Sequence, residues 1–107
     1  MVPAMMQVVL TTFASRDQAL SVARLLVGEK LAACVNVLGE ARSVYRWKGA
    51  VEEETEVVCL IKTTSEGFER LRARLVELHP YEVPEVVALS ADAVHAPYLE
   101  WLISEVG

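Results

Sequence analysis

The stretch HPYEVPE, residues 79–85, brings an imidazole, a phenol and two carboxylates together within seven residues. Imidazole is a common ligand of copper and zinc, so His79 with Glu82 or Glu85 could bind either metal. The alternative is a histidine near a helix C-terminus, where its N–H groups satisfy carbonyl oxygens. One imidazole with carboxylates does not close a metal site. Within one chain the structural role is therefore favoured, and a metal site would need ligands from other chains or distant segments.

Two side chains in strand-like runs could also do chemistry. Cys34 could act as a nucleophile with His79 as its base. However, Cys34 lies between Ala33 and Val35, and such apolar surroundings favour a buried, inert thiol. Lys62 ends an apolar-rich run, where a lysine either extends its amine to solvent or faces an anionic ligand. The sequence leaves both roles of Lys62 open.

Two aromatic residues, Tyr45 and Trp47, alternate along one predicted strand and therefore share a face of it. On that face they either line a pocket or pack under a helix or a neighbouring subunit. Packing is the favoured interpretation, because aromatic side chains contribute large apolar areas to cores and interfaces.

The elements that position these side chains follow from periodicity. Strand patterns cover 7–13, then 31–39 with an interruption at Gly39 and a resumption over 43–49, then 51–64 and 85–90. Helical patterns run from a Ser15–Gln18 capping box to Gly28, from near Ser65 to Pro80, and from Pro97 through Val106. The order β-α-β-β-α-β with an added C-terminal helix predicts an α+β, ferredoxin-like sandwich, with residues 1–107 as a single domain.

Composition narrows the class of protein. The chain is 53% hydrophobic and carries a net charge of −5, so it repels the phosphate backbone and we expect no nucleic-acid partner. No apolar run approaches the roughly 18 residues of a membrane span, and we expect no membrane partner.

The start, MVPAMMQVVL, lacks the basic n-region of a secretory signal, so we expect a cytoplasmic protein. Cys34 and Cys59 are then expected to be reduced thiols, because the cytoplasm is a reducing compartment. The surplus of apolar residues predicts an oligomer.

Several activities of ferredoxin-like proteins need motifs that the sequence lacks. The basic and aromatic strand of an RNA-recognition module is not found, and two cysteines are too few for an iron–sulfur cluster. There is no glycine-rich phosphate loop and no HExxH. No nucleophile, base and orienting group are recognisable as a set, so we expect neither an enzyme nor an organic cofactor.

Five motifs taken together are specific: KLAACVNV (30–37), SVYRWKG (43–49), IKT (61–63), HPYEVPEV (79–86) and YLEWL (98–102). In this order and spacing the chain, from about residue 7 to 105, resembles the CutA family of divalent-cation tolerance proteins. The resemblance implies a ferredoxin-like protomer in a tight homotrimer whose strands pair across subunits. It also implies an architecture similar to that of the PII signalling proteins, with clefts between the subunits.

The resemblance also carries expectations about the site. Seven residues match family motif positions and are expected around an intersubunit cleft: Cys34, Tyr45, Trp47, Lys62, His79, Tyr81 and Glu82. Copper tolerance, with Cu2+ or another divalent cation at His79, is the implied function. A PII-like module that binds a small anionic metabolite through Lys62, and a stable trimeric scaffold, are the alternatives.

Overall fold

The computed structural model describes residues 5–107. Four strands and three helices follow one another as β1 Met6–Phe13, α1 Arg16–Gly28, β2 Cys34–Trp47, β3 Ala50–Thr64, α2 Phe68–Leu78, β4 Val87–Ser90 and α3 Ala96–Glu105. The strands form one antiparallel sheet in the order β2-β3-β1-β4. This arrangement confirms the predicted α+β, ferredoxin-like fold with its additional C-terminal helix. In the described residues, no helix is long and apolar enough to cross a membrane.

Several element boundaries differ from the sequence prediction for identifiable reasons. Strand β2 begins at Cys34 instead of residue 31, because the N–H of Leu31 bonds to the carbonyl of Leu26 and so closes α1. Helix α2 begins at Phe68 instead of near Ser65, because Thr64 still belongs to β3 and its hydroxyl accepts the N–H of Gly67 at 2.9 Å. Residues 65–67 thus form a turn before the helix.

The remaining boundaries are closer to expectation. The register of β2 against β3 shifts between Val37 and Glu40, so the interruption predicted at Gly39 is a bulge within one continuous strand. Strand β4 covers only the second part of the predicted run, Val87–Ser90. Helix α3 begins one residue before Pro97, and the Ser15 hydroxyl accepts the N–H of Gln18 as the capping box requires.

One face of the sheet carries the hydrophobic core. Alternate residues of β1 and β3, among them Val9, Phe13 and Ile61, pack with α1 and α2 in one buried cluster. Helix α2 contributes Leu71 and Leu75, both fully buried. The core is therefore a two-layer packing of helices on one side of the sheet.

The opposite face of the sheet, here called the outer face, is apolar as well. Strand pairing aligns two rows of side chains across it, Leu89–Val8–Lys62–Cys34 and Val87–Leu10–Leu60–Asn36. Helix α3 lies against β1 and β3 at the Lys62 end, where the Lys62 amine is 5.9 Å from the centre of the Tyr98 ring. In the single chain the centre of this face is partly exposed, and Val87 and Leu89 at its edge are exposed.

Strands β2 and β3 extend beyond the sheet as a long hairpin, and the molecule measures 45 × 28 × 24 Å. Positive φ angles at Lys48 and Gly49 close the hairpin, as a two-residue turn with the right twist requires. Because the side-chain period of a strand is two, Tyr45 and Trp47 lie on the same face of the hairpin. The hairpin thereby carries these aromatic side chains out to a groove beside the loop that follows α2.

Candidate functional site

The groove is an open cavity of about 840 Å³ between the β2–β3 hairpin and the loop 79–86. Its walls combine aromatic rings, hydroxyls and carboxylates, and they consist of Thr12, Ser43, Val44, Tyr45, Trp47, Glu52, Glu54, Glu56, Tyr81, Glu82, Val83 and Glu85. All the charged residues among them are glutamates. The groove is therefore negatively charged, and it favours cations over anions.

Glu56 is a carboxylate of the groove that accepts hydrogen bonds from the groove's own walls. Its Oε2 atom accepts hydrogen bonds from the Thr12 hydroxyl and from the Tyr81 hydroxyl, each at 2.9 Å. Burial alone would raise the pKa of Glu56. Hydrogen bonds from Ser43, Tyr81 and Thr12 outweigh burial and hold this pKa below its usual value of 4.5. Glu56 is thus an ionised acceptor that anchors the loop to the hairpin.

The two tyrosine hydroxyls of the groove also point at carboxylates. Partial desolvation, followed by the hydrogen bond to Glu56, raises the pKa of Tyr81. Desolvation and the neighbouring Glu54 carboxylate raise the pKa of Tyr45 in the same way. Because these hydroxyl hydrogens are directed at carboxylates, the groove presents mainly acceptor oxygens. A ligand that carries positive charge or donates hydrogen bonds fits such a surface.

Glu52, Glu54, Glu82 and Glu85 supply the remaining negative charge. Among the described residues, one ion pair reaches these four carboxylates, between Lys48 and Glu82 at 3.9 Å. Both of its side chains are 71% exposed, so solvent screens the pair and it neutralises little of the charge. These carboxylates remain available to a cation.

His79 lies behind the groove and is buried, with 7% of its surface exposed. Its Nε2 atom bonds to the carbonyl oxygen of Thr12 at 2.7 Å, and its Nδ1 atom accepts the N–H of Tyr81 at 3.2 Å. The ring stacks on Phe13 with a centroid distance of 4.4 Å. Burial lowers the pKa of His79 despite the opposing effects of the Thr12 carbonyl and of Glu56. The imidazole is thus neutral and bonded at both nitrogens.

Copper at His79 does not fit this arrangement. A metal at either ring nitrogen would have to replace one of the two hydrogen bonds. Among residues 5–107, no three histidine, cysteine or acidic side chains are grouped so that they could hold an ion. His79 does occupy the C-cap of α2, as the structural alternative predicts. Its backbone N–H bonds to the helix carbonyl of Leu75, whereas its ring Nε2 bonds to the Thr12 carbonyl of β1, which the sequence did not indicate.

The seven expected site residues divide into two groups within one chain. Tyr45, Trp47, Tyr81 and Glu82 line the groove, with His79 supporting it from behind. Cys34 and Lys62 pair with each other near the other end of the outer face. Along β2, Cys34 lies roughly 35 Å from Tyr45 at about 3.3 Å per residue. A cleft that unites both groups would need a second chain.

The thiols and aromatic rings also differ in part from the predictions. Cys34 is partly exposed instead of buried, because it faces the uncovered side of the sheet, and its Sγ is 3.8 Å from Asn36 Oδ1. Cys59 is buried, which raises the pKa of its thiol, and both cysteines are free. Tyr45 and Trp47 are 36% and 38% exposed, so in the single chain they line a pocket instead of packing in a core.

Sequence reasoning missed Thr12, Ser43 and the acidic side of the hairpin. The signal was present in VEEETE (51–56), where Glu52, Glu54 and Glu56 alternate and must share a face. Tyr45 pairs directly with Glu52 across the hairpin. A count of alternate residues in both strands would have placed the acids beside the aromatic rings.

Comparison with known proteins identifies the family. The family model described as CutA1 divalent ion tolerance protein matches residues 7–105. A divalent-cation tolerance protein CutA from Thermus thermophilus is 46% identical over 103 residues, covering 96% of this chain and 100% of the relative. The chain belongs to the CutA1 divalent ion tolerance family. This confirms the resemblance seen in the sequence.

Other relatives and solved structures agree. The divalent-cation tolerance protein CutA from Pyrococcus horikoshii is 43% identical over 100 residues, or 94% of this chain and 97% of the relative. The Thermus thermophilus structure superposes with a TM-score of 0.93 at 46% identity over 96% of this chain and 100% of that one. A CutA structure from Synechococcus elongatus gives 0.93 at 36% identity, covering 100% and 95%. These names describe tolerance proteins and not enzymes.

The ionised Glu56 predicts a component of acid sensitivity. A carboxylate whose pKa is lowered by folding stabilises the protein at pH values above 4.5, its pKa in the unfolded chain. This stabilisation is lost as the pH falls through the lower pKa of the folded state. Wild type should therefore lose on the order of 1 kcal/mol more unfolding free energy than Glu56→Gln between about pH 5 and 3, since solvent screens part of the effect. Urea unfolding at each pH measures this difference. The exposed Glu66→Gln is the matched control, and equal pH dependence of Glu56→Gln and wild type would contradict the role given to Glu56.

Proposed function

We propose that this member of the divalent ion tolerance family is a cytoplasmic homotrimer that binds divalent cations, copper among them, in the acidic groove. The observation that carries the proposal is the donor chemistry of the groove. Its glutamates supply negative charge, and the hydroxyl hydrogens of Thr12 and Tyr81 are already directed at Glu56. An anion would meet repulsion there, whereas a cation would meet free carboxylate oxygens.

Glu52, Glu54 and Glu82 are the proposed cation-binding residues. Carboxylate oxygens are the usual ligands of hard divalent cations, and Cu2+ also accepts them. Glu56 is excluded from this set, because the Thr12 and Tyr81 hydroxyls already occupy one of its oxygens. The three carboxylates of one chain do not form a closed site, so we infer that a neighbouring subunit completes the coordination.

The outer face supports a trimer. Its central side chains, Val8, Leu10, Val58 and Leu60, lie outside the core cluster, and Val87 and Leu89 extend the apolar surface. A contiguous apolar face on an antiparallel sheet is normally covered, and self-association covers it without another component. Association would also protect the unpaired edge of the 14-residue strand β2.

The location and the lack of catalysis remain part of the proposal. Both cysteines are free, which suits a reducing compartment such as the cytoplasm.

The groove offers acceptors and aromatic rings. We expect it to bind without turnover, because a hydrogen-bonded Tyr81 and an ionised Glu56 already satisfy each other.

A second candidate function has one observation in its favour. On the outer face the Lys62 amine lies over Tyr98, next to Cys34 and Asn36, and none of the ion pairs within the described residues includes it. Such a lysine could hold a small organic anion, as in a PII-like module.

The anion hypothesis predicts that ATP or citrate raises the melting temperature of wild type, because a ligand of the native state stabilises it. Lys62→Met keeps the aliphatic stem over Tyr98 but removes the charge, so this shift should disappear. Thermal-shift assays compare both proteins with Lys30→Met as the surface control. The absence of any shift in wild type would eliminate this candidate.

The trimer is tested by placing a charge on the outer face. Leu89 is 53% exposed in the single chain, and Leu89→Glu should break the assembly into smaller species because a carboxylate would be buried in the interface. Leu25, which is 41% exposed on α1, provides the control Leu25→Glu. Light scattering coupled to size exclusion gives the mass, and circular dichroism verifies folding. A monomeric wild type, or a trimeric Leu89→Glu, contradicts the assembly.

The binding residues are tested by calorimetric titration with Cu2+. Glu52→Gln combined with Glu82→Gln should weaken binding about tenfold or more, which corresponds to about 1.4 kcal/mol. Glu66→Gln combined with Glu100→Gln makes the same change of charge outside the groove and should leave the affinity nearly unaltered. His79→Gln and His95→Gln should also bind Cu2+. If only His79→Gln abolishes binding, the metal lies at the imidazole and the groove assignment is wrong.

A further inference from the structure

The two hydrogen bonds of His79 determine which nitrogen carries its proton. The partner of Nε2 is the Thr12 carbonyl oxygen, which can only accept, so Nε2 must hold the hydrogen. The partner of Nδ1 is the backbone N–H of Tyr81, which can only donate, so Nδ1 must be unprotonated. A single neutral tautomer satisfies both contacts.

We propose that His79 is a positioning residue of the groove: in its neutral Nε2–H form it fixes Tyr81 against Glu56, and protonation of the ring releases this contact. The role differs from metal ligation, because it uses both ring nitrogens within the chain. It concerns the shape of the groove before any ligand arrives. Its link to cation binding rests on the function proposed above.

The topology of the sheet explains why the loop needs such a bridge. Strand β4 pairs with β1 only at Gln7–Leu10, so no strand of the described chain covers that edge of β1 at residues 11–13. The His79 bond to the Thr12 carbonyl attaches the loop at this uncovered edge. The next attachment is the Tyr81 hydroxyl on Glu56, which lies on β3. The loop is thereby held to β1 and β3 by side chains in place of strand pairing.

Tyr81 depends on His79 in two ways. Its backbone N–H is held by Nδ1, and its ring contacts the imidazole with centroids 4.7 Å apart at an angle of 56°. The imidazole in turn stacks on Phe13, with the planes within 11° of each other. The direction of the Tyr81 side chain towards Glu56 is therefore set by a ring that is itself fixed by the core.

Protonation would break this arrangement at a defined atom. A hydrogen added to Nδ1 would face the Tyr81 N–H, so two donors would confront each other where a hydrogen bond had been. The buried ring would also become charged beside Phe13. The titratable groups that face the ring are Glu56 on β3 and Tyr81 in the loop, while β1 contributes the Phe13 ring and the Thr12 carbonyl.

Among these groups Glu56 opposes the effect of burial, since its charge favours the protonated ring. Burial is the larger influence, and the pKa of His79 lies below its ordinary value of 6.5. The hydrogen bonds of neutral His79 therefore stabilise the protein to their full extent above about pH 6.5. This stabilisation is lost as the pH falls from 6.5 through the pKa that His79 has in the folded protein. The contribution of Glu56 begins to be lost at a lower pH, near its unfolded value of 4.5.

The experiment is an NMR pH titration of the intact protein, without cation, from pH 8 to 5. Imidazole 15N shifts report the tautomer and the charge of His79, and 13C-labelled tyrosine reports the Tyr81 ring. We expect an Nε2–H tautomer at pH 8. We also expect one midpoint below 6.5, shared by the His79 nitrogens and the Tyr81 ring. His95, which is exposed, serves as the internal reference, and His95→Gln should leave the Tyr81 transition unchanged.

Substitution separates the positioning role from simple packing. The amide of His79→Gln can donate to the Thr12 carbonyl and accept from Tyr81 but cannot titrate, so the Tyr81 signals should keep their high-pH positions down to pH 5. His79→Leu keeps the volume without either hydrogen bond and should show the released Tyr81 signals at every pH. A protonated ring or an Nδ1–H tautomer at pH 8 would overturn the proposal. So would a Tyr81 midpoint different from that of His79, or an unchanged Tyr81 transition in His79→Gln.

Cu2+ titrations at pH 7.5 and at a pH below the measured His79 midpoint connect the bridge to the groove. Wild type should lose at least threefold more affinity on acidification than His79→Gln, because only the imidazole releases Tyr81. If wild type and His79→Gln lose the same affinity although His79 and Tyr81 share a midpoint, the bridge exists but does not control Cu2+ binding. Absence of Cu2+ binding at both pH values would refute the cation function alone.

Discussion

The four-stranded sheet has two apolar faces, and helices α1 and α2 cover most of one of them. The cover on the other face, within the described chain, is helix α3, which lies over the end near Lys62. This imbalance follows from alternation in β1 and β3. Val9 and Ile61 point into the core, while Val8 and Leu60 point away from it. A fold with this constraint favours the proposed association, in which further copies of the chain cover the outer face.

The same face changes character along the hairpin. Near α3 it is apolar with a single amine, and beyond the bulge at Val37–Glu40 it becomes aromatic and acidic. Because the hydroxyls of Thr12 and Tyr81 are directed at Glu56, the acidic part is both ordered and rich in acceptors. Association through the apolar part would bring the groove of one chain close to another chain. In the proposed trimer, cation binding would therefore not need a complete metal site in any single chain.

Much of the fold was predictable from local patterns. Period-two alternation gave the strands and the shared face of Tyr45 and Trp47, and the Ser15 cap marked the start of α1. The contacts that order the groove join distant parts of the chain instead. His79 meets the Thr12 carbonyl across 67 positions, and Tyr81 meets Glu56 across 25. No local pattern specifies which carbonyl a histidine will find, so the sequence favoured a structural role for His79 but could not identify the Thr12 carbonyl as its partner.

The most direct test of this account is a crystal structure of the protein soaked with Cu2+, with anomalous scattering recorded at the copper edge. The account predicts a trimer with an anomalous peak in each acidic groove, coordinated by Glu52, Glu54 or Glu82 oxygens. His79 should still be bonded to the Thr12 carbonyl and to the Tyr81 N–H. A peak on a His79 ring nitrogen, or ordered copper only outside the groove, would contradict it.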